Sequence, residues 1–122
     1  MRRLHPILLA AVLAVALGAC DRQPTATLET PAATIRATDY RLRPQHLSLP
    51  AGQVTLTLRN TGRVPHNLQV RRGRKRVLLR IATVLPGATG RATARLKPGR
   101  YELVSTVARD EQLGQRGTLE VR

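Results

Sequence analysis

From position 35 onward, apolar residues recur at every second place in short runs, and each run stops at glycine, proline or an asparagine turn. The clearest run is 53–59, where Val54, Leu56 and Leu58 alternate with Thr55, Thr57 and Arg59. A period of two puts successive side chains on opposite faces of a strand, so this segment has one buried and one wet face. Residues 90–96 repeat the pattern, with Ala92, Ala94 and Leu96 set against Arg91, Thr93 and Arg95. So do 66–71, with Leu68 and Val70 against Asn67, Gln69 and Arg71. Weaker runs at 35–42, 46–50, 77–85, 101–107 and 117–121 complete the series, and none carries a helical period. Ala51-Gly52, Asn60-Thr61-Gly62, Pro86-Gly87 and Pro98-Gly99 are turn sequences. About eight strands at this spacing predict an all-β fold, an antiparallel Greek-key β-sandwich.

The segment ahead of these runs differs. Arg2 and Arg3 precede an almost purely apolar run at 7–19, too short to span a bilayer and suited to a secretory leader. It ends in Leu17-Gly18-Ala19-Cys20, which matches the lipobox of bacterial lipoproteins. The expectation is a signal peptide over 1–19 and acylation of Cys20 as the first mature residue; the plainer alternative is an ordinary leader with a chance cysteine. Residues 21–34, with Pro24 and Pro31 and no periodicity, read as a flexible tether, which leaves 35–122 as the folded domain. Asp21, directly after Cys20, favours retention at the inner membrane, so the expected location is the bacterial cell envelope on its periplasmic side.

Cys20 is the single cysteine and Met1 the single methionine among 122 residues. No disulfide can form within the chain, and a product starting at Cys20 has neither a free thiol nor a thioether. Lys+Arg number 21 against 7 Asp+Glu, a formal net charge of +14. An exported, anchored protein of this charge suits an anionic lipid surface or an acidic envelope protein as partner. Nucleic acid is disfavoured, because no aromatic residues are interleaved with the basic ones for base stacking. The densest basic stretch is Arg71, Arg72, Arg74, Lys75 and Arg76, read either as a contact for anionic groups or as a solvated turn that discourages edge pairing.

The order of these pieces resembles a known family. Residues 47–70, LSLPAGQVTLTLRNTGRVPHNLQV, run as strand, glycine turn, strand, asparagine turn and histidine, and 86–104 run as strand, Pro-Gly turn and tyrosine strand. The closing YELVSTVARDEQLGQRGTLEVR at 101–122 is similar to the ligand loop and return strand of cupredoxins, the small blue-copper fold. The resemblance implies a copper ligand at each of four positions. His66 matches the early histidine. Ser105 stands in the thiolate slot, Asp110 in that of the second imidazole and Gln115 in that of the axial ligand, with four residues between successive slots.

A blue site needs two imidazoles and a thiolate, with a weak axial group. Gln is an acceptable axial type, but Ser105 offers only a hydroxyl, so the resemblance predicts a cupredoxin-like domain with a degenerate copper site. No cofactor is expected; copper enters only through the family likeness. His66 and Asp110, with Gln115 and His46 as further candidate donors, leave open a harder Cu(II) or Zn(II) site. Ser105, His66 and Asp110 have the residue types of a hydrolytic triad, but nothing marks an oxyanion hole, and no enzyme is expected. The leading expectation is a monomeric, membrane-anchored binding or scaffold module, with a metal-binding protein as the alternative.

Overall fold

The computed structural model describes residues 23–122. The expected leader, the expected lipidation site at Cys20 and the expected sorting signal at Asp21 lie outside them. Ten strands form: β1 (Thr25–Thr27), β2 (Ala32–Thr38), β3 (Arg41–Arg43), β4 (His46–Leu49), β5 (Gly52–Asn60), β6 (His66–Arg72), β7 (Arg76–Val84), β8 (Thr89–Leu96), β9 (Gly99–Val104) and β10 (Arg116–Val121). The strong alternations sit inside β5, β6 and β8, as the period of two requires. The run at 35–42 is divided by a turn in which Tyr40 takes a φ of 68°. β1 and the start of β2 place part of 21–34 in strands, so the folded domain begins ahead of residue 35. Both β1 and β3 are three residues long, too short for an alternation to register in sequence.

The strands form a six-stranded sheet, β1-β4-β10-β9-β6-β7, and a four-stranded sheet, β3-β2-β5-β8. Neither is purely antiparallel. β1 with β4, β10 with β4, and β2 with β5 run parallel, while the remaining pairs are antiparallel. The expected antiparallel sandwich is thus a mixed one. Parallel neighbours need a crossover, and the chain supplies it by passing through the opposite sheet before it returns.

Between the sheets lies an aliphatic core. Ile35, Leu56 and Leu58 face Leu68, Leu103 and Leu119, all at 0% exposure. Tyr101 is the buried aromatic, and its hydroxyl donates to Lys97 O at 2.6 Å. The core cluster of the described residues runs from Ala33 to Val121, so the described residues carry a complete sandwich interior of their own. Strand parity decides what joins this interior at one end. His66 is in phase with Leu68 and Val70, and Ser105 is in phase with Tyr101 and Leu103, so both polar side chains turn inward.

One close approach holds the edge of this end. A Cβ on Gly117 would stand 2.0 Å from the carbonyl oxygen of Gln45, which accepts the Thr118 amide at 2.9 Å. The obstacle is backbone and cannot rotate away. Gly117→Ala is therefore expected to force β10 from β4 and cost about 1–3 kcal/mol, read as a lower urea midpoint with an unchanged slope.

Candidate functional site

Ser105 follows the last residue of β9, and Gln115 precedes the first residue of β10. The Ser105 amide donates to Gln115 O at 3.0 Å and closes the loop between them. Inside the loop Asp110 N donates to Val107 O at 3.0 Å, and Gln115 N donates to Asp110 O at 2.9 Å. These turns bring the Asp110 carboxylate back over the end of β6. Gln115 Nε2 donates to Thr38 O and Arg41 O, each at 2.9 Å, and so fastens the loop to the β2–β3 turn. From the sheet side Arg71 donates to Glu111 and holds that carboxyl below its ordinary range.

Three of the four sequence-predicted positions meet directly. His66 Nδ1 lies 2.7 Å from Asp110 Oδ2, and Ser105 Oγ donates to the same oxygen at 2.6 Å. His66 and Ser105 are fully buried and Asp110 is 3% exposed. Asn67 frames the group, its backbone amide donating to Ser105 Oγ at 3.2 Å and its side chain accepting the Thr106 amide at 2.7 Å. Gln115 stays apart in bonding. It is buried, and its Oε1 is the one buried side-chain polar atom without a partner among the described residues.

Asp39 is the member of the site that sequence reasoning missed. Its Oδ1 lies 3.1 Å from His66 Nε2, on the far edge of the ring from Asp110. The Arg63 amide donates to both carboxylate oxygens, at 2.9 and 3.0 Å. Each ring nitrogen of His66 thus has a carboxylate oxygen within hydrogen-bond distance. The available signal was an aspartate in the middle of an apolar alternation, which marks a turn more readily than a strand. Gly62 permits the approach, since a Cβ there would stand 2.1 Å from Asp39 Oδ1.

These bonds depress the Asp39 carboxyl below its ordinary value of 3.8, first through the Arg63 amide and then through His66. A depressed folded value stabilises the protein above the unfolded value, and the gain is lost as pH falls through the folded one. Stability is accordingly expected to fall in acid below about pH 4. Asp39→Asn should flatten part of that slope in urea titrations taken between neutral and strongly acidic pH.

The remaining predicted residues fall elsewhere. His46 bonds Thr118 Oγ1 at 2.7 Å within the β4–β10 pair, not His66. Ser105 is not inside a strand as its run suggested, and its hydroxyl meets the acid rather than the imidazole. A Ser-His-Asp relay needs the imidazole between hydroxyl and acid, and here the acid lies between the other two. No group of three or more His, Cys, Asp or Glu converges as if on a metal ion among the described residues. Asp39 and Asp110 approach the ring from opposite edges, so His66 draws them near without a common point.

The basic stretch also divides. Arg71 is only 14% exposed, and its Nε donates to Glu102 at 2.7 Å while its terminal nitrogens reach Glu111. The Arg72 guanidinium lies 5.7 Å from the Tyr101 ring centroid. Arg74, Lys75 and Arg76 are exposed at the β6–β7 turn.

A family model described as a cupredoxin-like domain matches residues 8–119. The chain belongs to the cupredoxin-like family. Solved cupredoxin structures share the fold at low identity. A dithionite-reduced auracyanin from Roseiflexus castenholzii superposes with a TM-score of 0.71 at 17% identity, over 78% of this chain and 99% of that one. Auracyanin B gives 0.70 at 23% identity, over 83% and 92%. Auracyanin A from Chloroflexus aurantiacus, a blue copper protein, gives 0.66 at 17% identity, over 80% and 100%. No curated protein is similar enough in sequence to match.

Proposed function

We propose that this chain is a lipid-anchored, cupredoxin-like binding or scaffold module of the bacterial cell envelope that works without type 1 copper. One observation carries the reading: the family's ligand positions are spent on one another, with His66 Nδ1 and Ser105 Oγ both ending on Asp110 Oδ2. A blue centre takes two imidazoles and a thiolate. The residues at these positions offer one imidazole, a carboxylate and a hydroxyl, so the donor set does not fit that centre. The only cysteine, Cys20, precedes the described domain and is acylated in this reading. Its acyl chain holds the protein to the periplasmic side of a membrane, with Asp21 favouring the inner one. The domain acts by contact with an acidic envelope protein or an anionic surface and catalyses no reaction.

A second reading, a hard Cu(II) or Zn(II) site on His66 and Asp110, is favoured by one atom. The unpartnered Gln115 Oε1 is an oxygen donor of the axial type.

Titration of the domain with Cu(II), followed by absorbance and spin resonance beside His66→Ala, separates the two. The scaffold reading expects no binding that the variant abolishes. Tight colourless binding lost in His66→Ala establishes the metal reading, and an intense blue band overturns both. The anchor is tested on its own by mass spectrometry of the mature N-terminus, where an acyl mass is expected on Cys20 and none in Cys20→Ser.

A further inference from the structure

The outer face of the four-stranded sheet carries a row of arginines that the basic stretch at 71–76 does not include. Arg43 of β3 is paired in register with Arg36 of β2, and Arg36 with Arg59 of β5. Each is exposed and alternates with buried neighbours: Leu42 beside Arg43, Ile35 and Ala37 beside Arg36, Leu58 beside Arg59. Three guanidinium stems thus stand side by side on adjacent strands, about 4.5–5.5 Å apart at Cβ. None makes an ion pair among the described residues, whose salt bridges involve only His66 and Arg71 on the basic side. A concavity of about 410 Å³ is lined by Thr34, Arg36, Arg43, Pro44 and Arg59, with no carboxylate in it. A second, of about 430 Å³, shares Thr34 and adds Thr57 and Arg91.

Like charges directly opposite one another on neighbouring strands oppose pairing. A sheet face that keeps three of them in one row, without a counter-charge, is suited to an anion from outside. The positive charge also extends along the sheet. Arg91 pairs with Thr57 and Arg95 with Gln53, so arginines recur over the seven residues from Gln53 to Arg59, roughly 20 Å of strand. Across four strands the face is about 14 Å wide. One phosphate spans a small part of that area, whereas a surface that repeats phosphates matches it.

We propose that this face docks the domain on the phosphate headgroups of anionic phospholipid, with the Arg43–Arg36–Arg59 row as its centre. The choice of lipid over other polyanions rests on the anchored reading above, in which an acyl chain at Cys20 leaves only residues 21–24 before β1, at the edge of the six-stranded sheet, and residues 21–31 before β2 of this one. It also rests on composition, since the chain holds no Phe or Trp and its face offers no ring for a nucleic-acid base to stack on. Docking then orients the sandwich and leaves the opposite sheet toward the periplasm.

The test uses the described domain, residues 23–122, without the lipid, so that anchoring and docking are read separately. Co-sedimentation is measured with phosphatidylcholine vesicles and with vesicles containing about one-third phosphatidylglycerol. Binding to the anionic vesicles alone is expected, and it should vanish at high salt. Arg36→Gln, Arg43→Gln and Arg59→Gln together should weaken it on the order of 100-fold, near fivefold per arginine. The triple variant should melt no lower than the parent, because a row of like charges has been relieved. Arg74→Gln, Lys75→Gln and Arg76→Gln remove the same charge from the β6–β7 turn and should lose far less. Equal loss in the two triples means attraction by net charge and overturns the proposal. So does displacement from vesicles by millimolar inorganic phosphate, which marks a discrete anion site, or tighter binding to duplex DNA than to the anionic vesicles. Any of these leaves the Cys20 acyl mass, and hence the anchor, unaffected.

Discussion

Asp110→Ala is expected to lower the unfolding free energy by about 3–5 kcal/mol. The carboxylate is the shared acceptor of two fully buried groups, His66 Nδ1 and Ser105 Oγ. Its loss leaves both without that partner in a place water does not reach, and a buried polar group stripped of its partner bears its full desolvation cost. Domains of this size hold roughly 5–15 kcal/mol in total, so the loss is a large share of the whole. At about 4–8 °C per kcal/mol it lowers the melting temperature by 12 °C or more. Asp110→Asn preserves shape and one acceptor oxygen and should lose about half as much. Urea unfolding of both variants, crossed with Ser105→Ala, measures the coupling in the network. A shift under about 1 kcal/mol for Asp110→Ala would mean the acid does not hold the imidazole.

Ser105→Cys combined with Asp110→His is expected to convert the domain into an intensely coloured Cu(II) protein. Neither change alone should do so. With Ser105→Cys alone, Asp110 still occupies His66 Nδ1, the nitrogen through which the ring faces the loop. With Asp110→His alone, a second imidazole is present but the thiolate responsible for the blue character is not. Together they supply two imidazoles and a thiolate, with the free Gln115 Oε1 as axial oxygen. The loop that carries them is already pinned, by the Ser105–Gln115 backbone bond and by the Gln115 amide on the β2–β3 turn. In residues 23–122 the introduced thiol is the only one, so no other cysteine competes. Colourless or absent binding in the double variant would show that the loop no longer presents its positions at copper-centre spacing.

Much of this architecture was readable along the chain. The run at 53–59 became β5 because Val54, Leu56 and Leu58 have a core to face while Thr55, Thr57 and Arg59 do not. His66, Ser105 and Asp110 were nominated by the resemblance of the chain to the cupredoxin ligand positions. They do meet, because strand parity and loop length are local properties that survive folding. Where reading failed, the missing information was pairing. Arg71 looked like one of five equivalent surface cations until Glu102 and Glu111, thirty-one and forty residues later, were placed beside it.

Alternation and turn residues settle locally that this chain makes strands and where most of them end, and the chain itself shows which side chains stand at His66, Ser105, Asp110 and Gln115. These depend on neighbours a few residues apart and on what each side chain is. That the sheets are mixed, that Asp39 closes the far side of His66, and that Arg36, Arg43 and Arg59 share one row are different facts. They depend on register between strands distant in sequence, where a one-residue slip sends every side chain to the opposite face. That register was decided only when the two sheets packed around a common core.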